Sequence, residues 1–330
     1  MAHMIDNTTG KDAIAYVGST PWHRLGQKME AGMTIADWRK AAGLDWEVTK
    51  SPVQFAFGDG MAAFDGQNVL HRSDTGAALS VVSNSYKPVQ PAAVLDFFRE
   101  LADIGGFALE TAGALAGGRR IWALAKVDDG APVIGHDVVK PYVLLATSYD
   151  GSMATTGRFT TVRVVCQNTL SMSNRTAATD IDEVGSVGAA IKVRHDTVFD
   201  PAKVRQRLGI VRDQFERWIV EARILAERGM SDAQAETFLR ELLPEPYQAP
   251  GRKLRTVEDT RGYKRIMELF HGAAIGADLT GGQTRWAMAN AVSQYIDHER
   301  GWGDDTRMTS AWFGEGEATK NRAMQMLVSA

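Results

Sequence analysis

The sequence predicts an α+β protein: an antiparallel sheet with a packed helix in the N-terminal half, followed by a helical C-terminal part. Three observations lead there. Between residues 107 and 170 apolar and polar residues alternate around glycine-bearing turns, as in paired strands. Beyond residue 200 the apolar spacing changes to three and four, as in amphipathic helices. The composition, 44% hydrophobic and 23% charged over 330 residues, suits a sizeable buried core and excludes a disordered or collagen-like chain.

The elements follow in order. Pro21-Trp22-His23-Arg24-Leu25-Gly26 reads as a loop anchored by Trp22. Thr34 caps a short helix, Ile35 to Ala42, which Gly43 closes. Residues 45–57 read as extended, with Val48, Val53, Phe55 and Phe57. Residues 67–87 form a hairpin around Asp74-Thr75-Gly76. Gln90 and Pro91 then start a helix whose apolar positions are Val94, Phe97, Phe98, Leu101 and Ile104. A second hairpin, 107–127, turns at Gly117-Gly118, and a third joins 141–149 to 159–170 through Asp150-Gly151-Ser152.

Asp200-Pro201 opens a long helix in which Val204, Leu208, Val211, Phe215, Trp218, Ala222 and Leu225 make a heptad stripe. Such a stripe packs within its own chain or forms a seam between copies. Ser231 caps a helix to about Leu243, prolines 244, 246 and 250 form a linker, and helices are expected at 257–271, 284–299 and 316–328. The division is placed at 175–200: a β-rich α+β domain, 1–190, and a helical domain, 191–330.

Composition also limits function. Lys plus Arg total 37 against 40 for Asp plus Glu, so the net charge of −3 excludes a uniformly basic coat but permits local patches. Within 252–271 six bases, Arg252, Lys253, Arg255, Arg261, Lys264 and Arg265, stand against Glu258, Asp259 and Glu268. One cysteine, Cys166, excludes an intrachain disulfide and a multi-cysteine zinc site. No signal peptide and no apolar run of about 18 residues is visible, so a soluble cytoplasmic protein without membrane contact is expected.

The sequence carries little that resembles a catalytic motif. No two of the seven histidines have the spacing of a helix-borne metal pair. The run Gly113 to Arg120 resembles a phosphate loop, but it ends in two arginines rather than Lys-Ser/Thr and lies between strands, so a hairpin turn is the better reading. Cys166 shares the apolar side of its strand with Val162, Val164 and Leu170, as a buried structural cysteine would.

One positive signal remains. Period-two counting puts Arg120, Trp122, Leu124 and Lys126 on one side of their strand, and Phe159, Arg163, Val165 and Gln167 on one side of another. Cations interleaved with aromatic rings suit single-stranded nucleic acid, because cations meet phosphates and rings stack on bases. The competing reading is an amphipathic sheet whose charges are solvated and whose rings are covered by a helix. Arg158, Arg175, Lys192, Arg194 and His195 add nearby cations.

Six motifs stand in order along the chain: Pro21–Gly26, Ser85-Tyr86-Lys87-Pro88-Val89-Gln90, Thr147-Ser148-Tyr149-Asp150-Gly151-Ser152, Arg163-Val164-Val165-Cys166-Gln167-Asn168-Thr169-Leu170, Lys192-Val193-Arg194-His195, and Thr284-Arg285-Trp286 with Asn290 and Tyr295–His298. Together, over about residues 16–300, they make the chain resemble the phage/plasmid-like proteins, a family built on domain of unknown function 932. Tyr149 departs from the histidine expected in many members, which counts against any role for an imidazole there. The resemblance implies a mobile element in a bacterial host and implies no reaction. By analogy of layout alone, single-strand annealing proteins of phages are similar: antiparallel sheet, packed helix, basic groove, rings or filaments.

The leading expectation is therefore a single-stranded DNA-binding protein that anneals strands in phage or plasmid recombination. It would be a homo-oligomer and need no cofactor. The expected DNA-binding residues are Arg119, Arg120, Trp122, Lys126, Arg158, Phe159 and Arg163, with Lys192 and Arg194 at the rim. Two alternatives stand beside it. One is an enzyme acting on a nucleic acid or nucleotide, with Tyr86, Asp150, Ser152 and His195 at its site. The other is a protein-binding factor that counters host defence through the helical half.

Overall fold

Thr34 accepts a hydrogen bond from the Asp37 backbone while Asp37 bonds back to Thr34, a reciprocal cap that starts helix α1, Ile35–Ala41. Sequence signals of this kind place most of the elements. The computed structural model describes residues 5–18, 20–21, 24–96, 99, 107–151, 153, 155–163, 165, 169–170, 191–193, 211–248, 255–301, 307, 310–312 and 314–329, with backbone alone at 157–158, 169–170, 191–193 and 211–214.

The strands come in two sets. Strands β1 (Ile14–Val17), β2 (Gln27–Met29), β6 (Ala108–Leu115), β7 (Arg120–Lys126), β9 (Asp137–Ser148), β10 (Thr155–Arg163) and β11 (Thr169–Leu170) make one sheet in the order β11-β10-β9-β7-β6-β1-β2. Strand β8 (Ala131–Ile134) joins β9, and β12 (Ile191–Val193) joins β10. The pairing is antiparallel except between β1 and β2. Gly113 lets β6 lie close to β1, since a Cβ there would sit 2.6 Å from the Ala13 carbonyl oxygen. A second sheet holds β3 (Val48–Phe57), β4 (Gly60–Arg72) and β5 (Ala78–Ser83) in that order.

The three hairpins expected from the sequence are present, but the third has other bounds: β9 starts at Asp137, four residues ahead of the expected 141, and β10 covers Thr155–Arg163 instead of 159–170, with Thr169–Leu170 a separate strand paired back onto it. A fourth hairpin, β3–β4, was not expected. Its turn is Gly58-Asp59, and the sequence reading had ended the extended segment at Phe57 without a partner. Residues 91–96 are helical, but Phe97, Phe98, Leu101 and Ile104 lie outside the described residues. Gln90 does not cap that helix with its side chain. Its amide instead clamps Val48, accepting from the backbone N–H at 2.8 Å and donating to the carbonyl at 3.1 Å.

Five further helices are α2 (Val211–Glu227), α3 (Asp232–Leu242), α4 (Arg261–Glu268), α5 (Arg285–Gln294) and α6 (Glu315–Ser329). Ser231 and Thr284 cap α3 and α5. On α2, Phe215, Trp218, Ala222 and Leu225 are buried, and Trp218 meets Trp286 of α5 edge to face at 6.1 Å. The part of the heptad stripe that is described is thus an intramolecular packing face rather than a seam between copies. Val204 and Leu208 lie outside the described residues.

By contacts the chain forms two compact units. One holds 1–127, 142–159 and 176–210; the other holds 128–141, 160–175 and 211–330. The units are not contiguous in sequence, unlike the division read at residue 190, because β8 and the start of β9 pack with the helices. No helix among the described residues is long and apolar enough to cross a membrane.

Candidate nucleic-acid interface

The β6–β7 turn supplies the first cations. Ala116, Gly117 and Gly118 all have positive φ, which tightens the turn and delivers Arg119 and Arg120 at the head of β7. Gly118 also has no room for a side chain: a Cβ would lie 3.0 Å from the Trp46 ring and 3.1 Å from Arg72. Arg119 is exposed. Arg120 is half-buried, pairs in register with Ser148, and its guanidinium lies 3.8 Å from Asp150.

The Ser85–Gln90 and Thr147–Ser152 motifs meet at this end of the sheet. The buried Tyr149 donates its backbone N–H to the Arg119 carbonyl at 2.8 Å and its hydroxyl to the Val89 carbonyl at 2.7 Å. Its ring meets Trp46 edge-on at 6.0 Å. The Ser80 hydroxyl donates to the Tyr149 carbonyl. Tyr86 donates to the Ser148 carbonyl at 3.3 Å, and Lys50 donates to the carbonyls of Tyr86 and Asn84. Burial first, and the Asp150 charge second, push the Tyr86 phenol well above its ordinary pKa. Tyr86 is therefore a hydrogen-bond donor at neutral pH, not an oxyanion. Lys87, next along, is exposed.

Beneath this end, Arg72 is buried and paired with Asp6 and with Asp74 at 2.7 Å, and its guanidinium lies 4.5 Å from the centre of the Trp46 ring. The hydrogen bond from Arg72 holds the Asp74 carboxyl below its usual pKa. The result is a buried, internally paired floor under the two loops.

Several residues expected to face DNA do not. Trp122 is only 2% exposed, and Ile121, Ala123, Leu124 and Ala125 beside it are buried too, so β7 is covered on both faces. Alternation correctly separated the two sides of this strand; it could not tell that neither side is open. Arg163 is fully buried. Its Nε donates to Asp137 at 2.7 Å, and its other nitrogens donate to the carbonyls of Ile275 at 3.0 Å and Gly276 at 2.8 Å. Asp137 also accepts from the Trp286 indole at 2.8 Å. That guanidinium serves the core and is not presented to a phosphate.

Lys126 and Phe159 are half-buried and each has an interaction partner. Arg158 and Lys192 lie on β10 and β12 with only their backbones described, and Arg194 lies outside the described residues. Of the residues weighed for catalysis, Tyr86 and Asp150 come close to each other, while Ser152 and His195 lie outside the described residues, as does Cys166. Among the described residues, no group of three or more His, Cys, Asp or Glu could hold a metal ion.

The sequence reading missed Lys50 and undervalued Lys87. The signal for Lys87 was its place inside the Ser85–Gln90 motif. Lys50 had none, because β4 and β5 separate it along the chain from the loop it meets. Within the described part of the basic run 252–271, Arg265 pairs with Glu268 and Glu299.

The family model for a domain of unknown function, DUF932, matches residues 78–325, and the chain belongs to that family. The match takes in the Ser85–Gln90, Thr147–Ser152 and Thr284–Trp286 motifs and most of α6, and it begins after β3 and β4. No curated protein and no solved structure matches the chain.

Proposed function

We propose that the protein binds single-stranded DNA without sequence preference and promotes strand annealing in a phage or plasmid setting. The observation that carries the reading is the gathering of Arg119, Arg120, Lys50 and Lys87 around Tyr86 at one end of the first unit's sheet. Asp150 offsets one of these charges, and the Arg72 group below adds one net negative charge, so the balance stays positive. Cations above an internally paired floor can hold a phosphate backbone, and a partly open ring can support a base. The interface differs from the one read along the strand faces: it uses strand ends and loops, where side chains reach solvent.

The test is fluorescence anisotropy of a labelled oligothymidylate with the full chain across a salt series. Binding should weaken with salt, by a log–log slope of about 0.7 per phosphate contact. Arg119→Ala with Lys87→Ala should flatten that slope. Absence of binding at low salt, or a slope that the double variant leaves alone, would sink the proposal.

The closeness of Tyr86 and Asp150 favours a second reading, a nucleic-acid-processing site. The protonated phenol suits binding better than nucleophilic attack. Tyr86→Phe should leave the DNA affinity within a few-fold under the first reading and abolish strand cleavage under the second.

A further inference from the structure

The β3–β4 hairpin carries apolar side chains where water should meet polar ones. Phe55 is 47% exposed, Phe57 75% and Phe64 54%. The register explains how they gather. Val53 lies opposite Phe64, Phe55 opposite Ala62, and Phe57 opposite Gly60. Residues directly opposite one another share a face, and alternate residues of a strand do likewise. Val53, Phe55, Phe57, Ala62 and Phe64 therefore form one continuous apolar face. The other face carries Gln54, Ala56, Met61 and Ala63. Beyond a bulge at Pro52/Val53 the same alternation leads to Ser51, which lies opposite Val69, itself opposite the exposed Val81.

Two strands alone are marginal in water, and β5 supports only the base of this hairpin. An apolar surface of this kind on a single chain marks an interaction site. Charge narrows the occupant. Residues 53–66 contain Asp59 and Asp65 and no lysine or arginine, so a nucleic acid or an anionic lipid surface would be repelled.

We infer that this face is a self-association surface, on which the hairpin of a second copy packs face to face about a two-fold axis. The face is its own complement, as a two-fold interface requires. Antiparallel packing sets the two acidic tips at opposite ends. The area is adequate as well. Taking the ~150–250 Å² that a large aromatic carries, the exposed parts of the three rings with Val81 leave roughly 350–500 Å² per copy, so two copies bury about 700–1,000 Å². That sits at or below the lower limit for a specific interface and predicts a reversible dimer. The inference is independent of DNA binding, since none of Val53, Phe55, Phe57, Ala62 and Phe64 belongs to the cation cluster, which takes only Lys50 from the base of β3.

Sedimentation-velocity ultracentrifugation of the full chain over micromolar concentrations tests it, with circular dichroism and thermal melting to verify folding. The wild type should shift from monomer to dimer as concentration rises. Phe55→Ser with Phe57→Ser should stay monomeric with an unchanged melting curve, and Phe64→Lys should do the same. Met61→Ser, on the opposite face, should dimerise like the wild type. A wild type that is monomeric throughout overturns the inference. So does association that survives the phenylalanine variants, or that Met61→Ser removes equally.

Discussion

The helical unit and the β3–β4 hairpin invert each other. In the helical unit charged groups are buried: Arg163 with Asp137, and Lys320 with Asp297 at 2.6 Å. In the hairpin, phenylalanines stand in water. Both break the rule that apolar residues lie inside and charges outside. The helical unit satisfies its buried charges internally. Arg163 spends its nitrogens on one carboxylate and two carbonyls, and Asp137 takes both a guanidinium and an indole. Among the described residues the hairpin has no such closure. A buried charge with partners on every side is finished; an exposed apolar face is not.

The comparison can be broken at several points. The largest effect is expected at Asp137. Asp137→Ala removes the carboxylate that the buried Arg163 guanidinium is paired with and should cost about 3–5 kcal/mol in denaturant unfolding, whereas replacing Asp137 and Arg163 together by apolar residues should recover most of that loss. If the single variant were as stable as the wild type, the network would not be holding the unit. Lys320→Met should be costly for the same reason, by removing the buried ammonium that donates to Asp297.

A smaller effect concerns pH. The folded Asp74 carboxyl titrates below its unfolded value, so its contribution is complete above that value, about 3.9, and disappears as pH falls through the lower folded one. Unfolding followed between pH 5 and pH 2, window limits taken roughly from that linkage, should show a loss that Arg72→Met makes shallower. The helix caps come next. Ser231→Ala and Thr34→Ala should each lower stability by about 1 kcal/mol. The smallest change belongs to the hairpin. Phe55→Ser with Phe57→Ser should alter monomer unfolding by less than about 0.5 kcal/mol, the range of ordinary surface substitutions. A large destabilisation there would mean that the rings support their own chain and would remove the contrast.

Much of the fold was legible in the chain. Thr34, Ser231 and the Asp74-Thr75-Gly76 turn announced their elements, because caps and turns are decided within a few residues. The β6–β7 turn was legible for the same reason, and it placed Arg119 and Arg120 correctly at a strand head. The site was harder to read. Trp122 and Arg163 had the alternation of exposed residues, yet both are buried. Alternation says which residues share a side; it carries no information about what lies against that side. Tyr86 and Asp150 are far apart in sequence, and tertiary hydrogen bonds, from Tyr86 to the Ser148 carbonyl and from Ser80 to the Tyr149 carbonyl, bring their loops together.

Local chemistry in the sequence thus determined the helices, the turns, the paired strands and the absence of a uniformly basic coat. Tertiary structure decided what the charges do: Asp137 drew Arg163 into the core, while Arg119 was left in solvent at the end of β7. The physical reason is that burial depends on neighbours contributed by distant segments, and a carboxylate near an arginine in space decides its availability in a way that no spacing along the chain encodes.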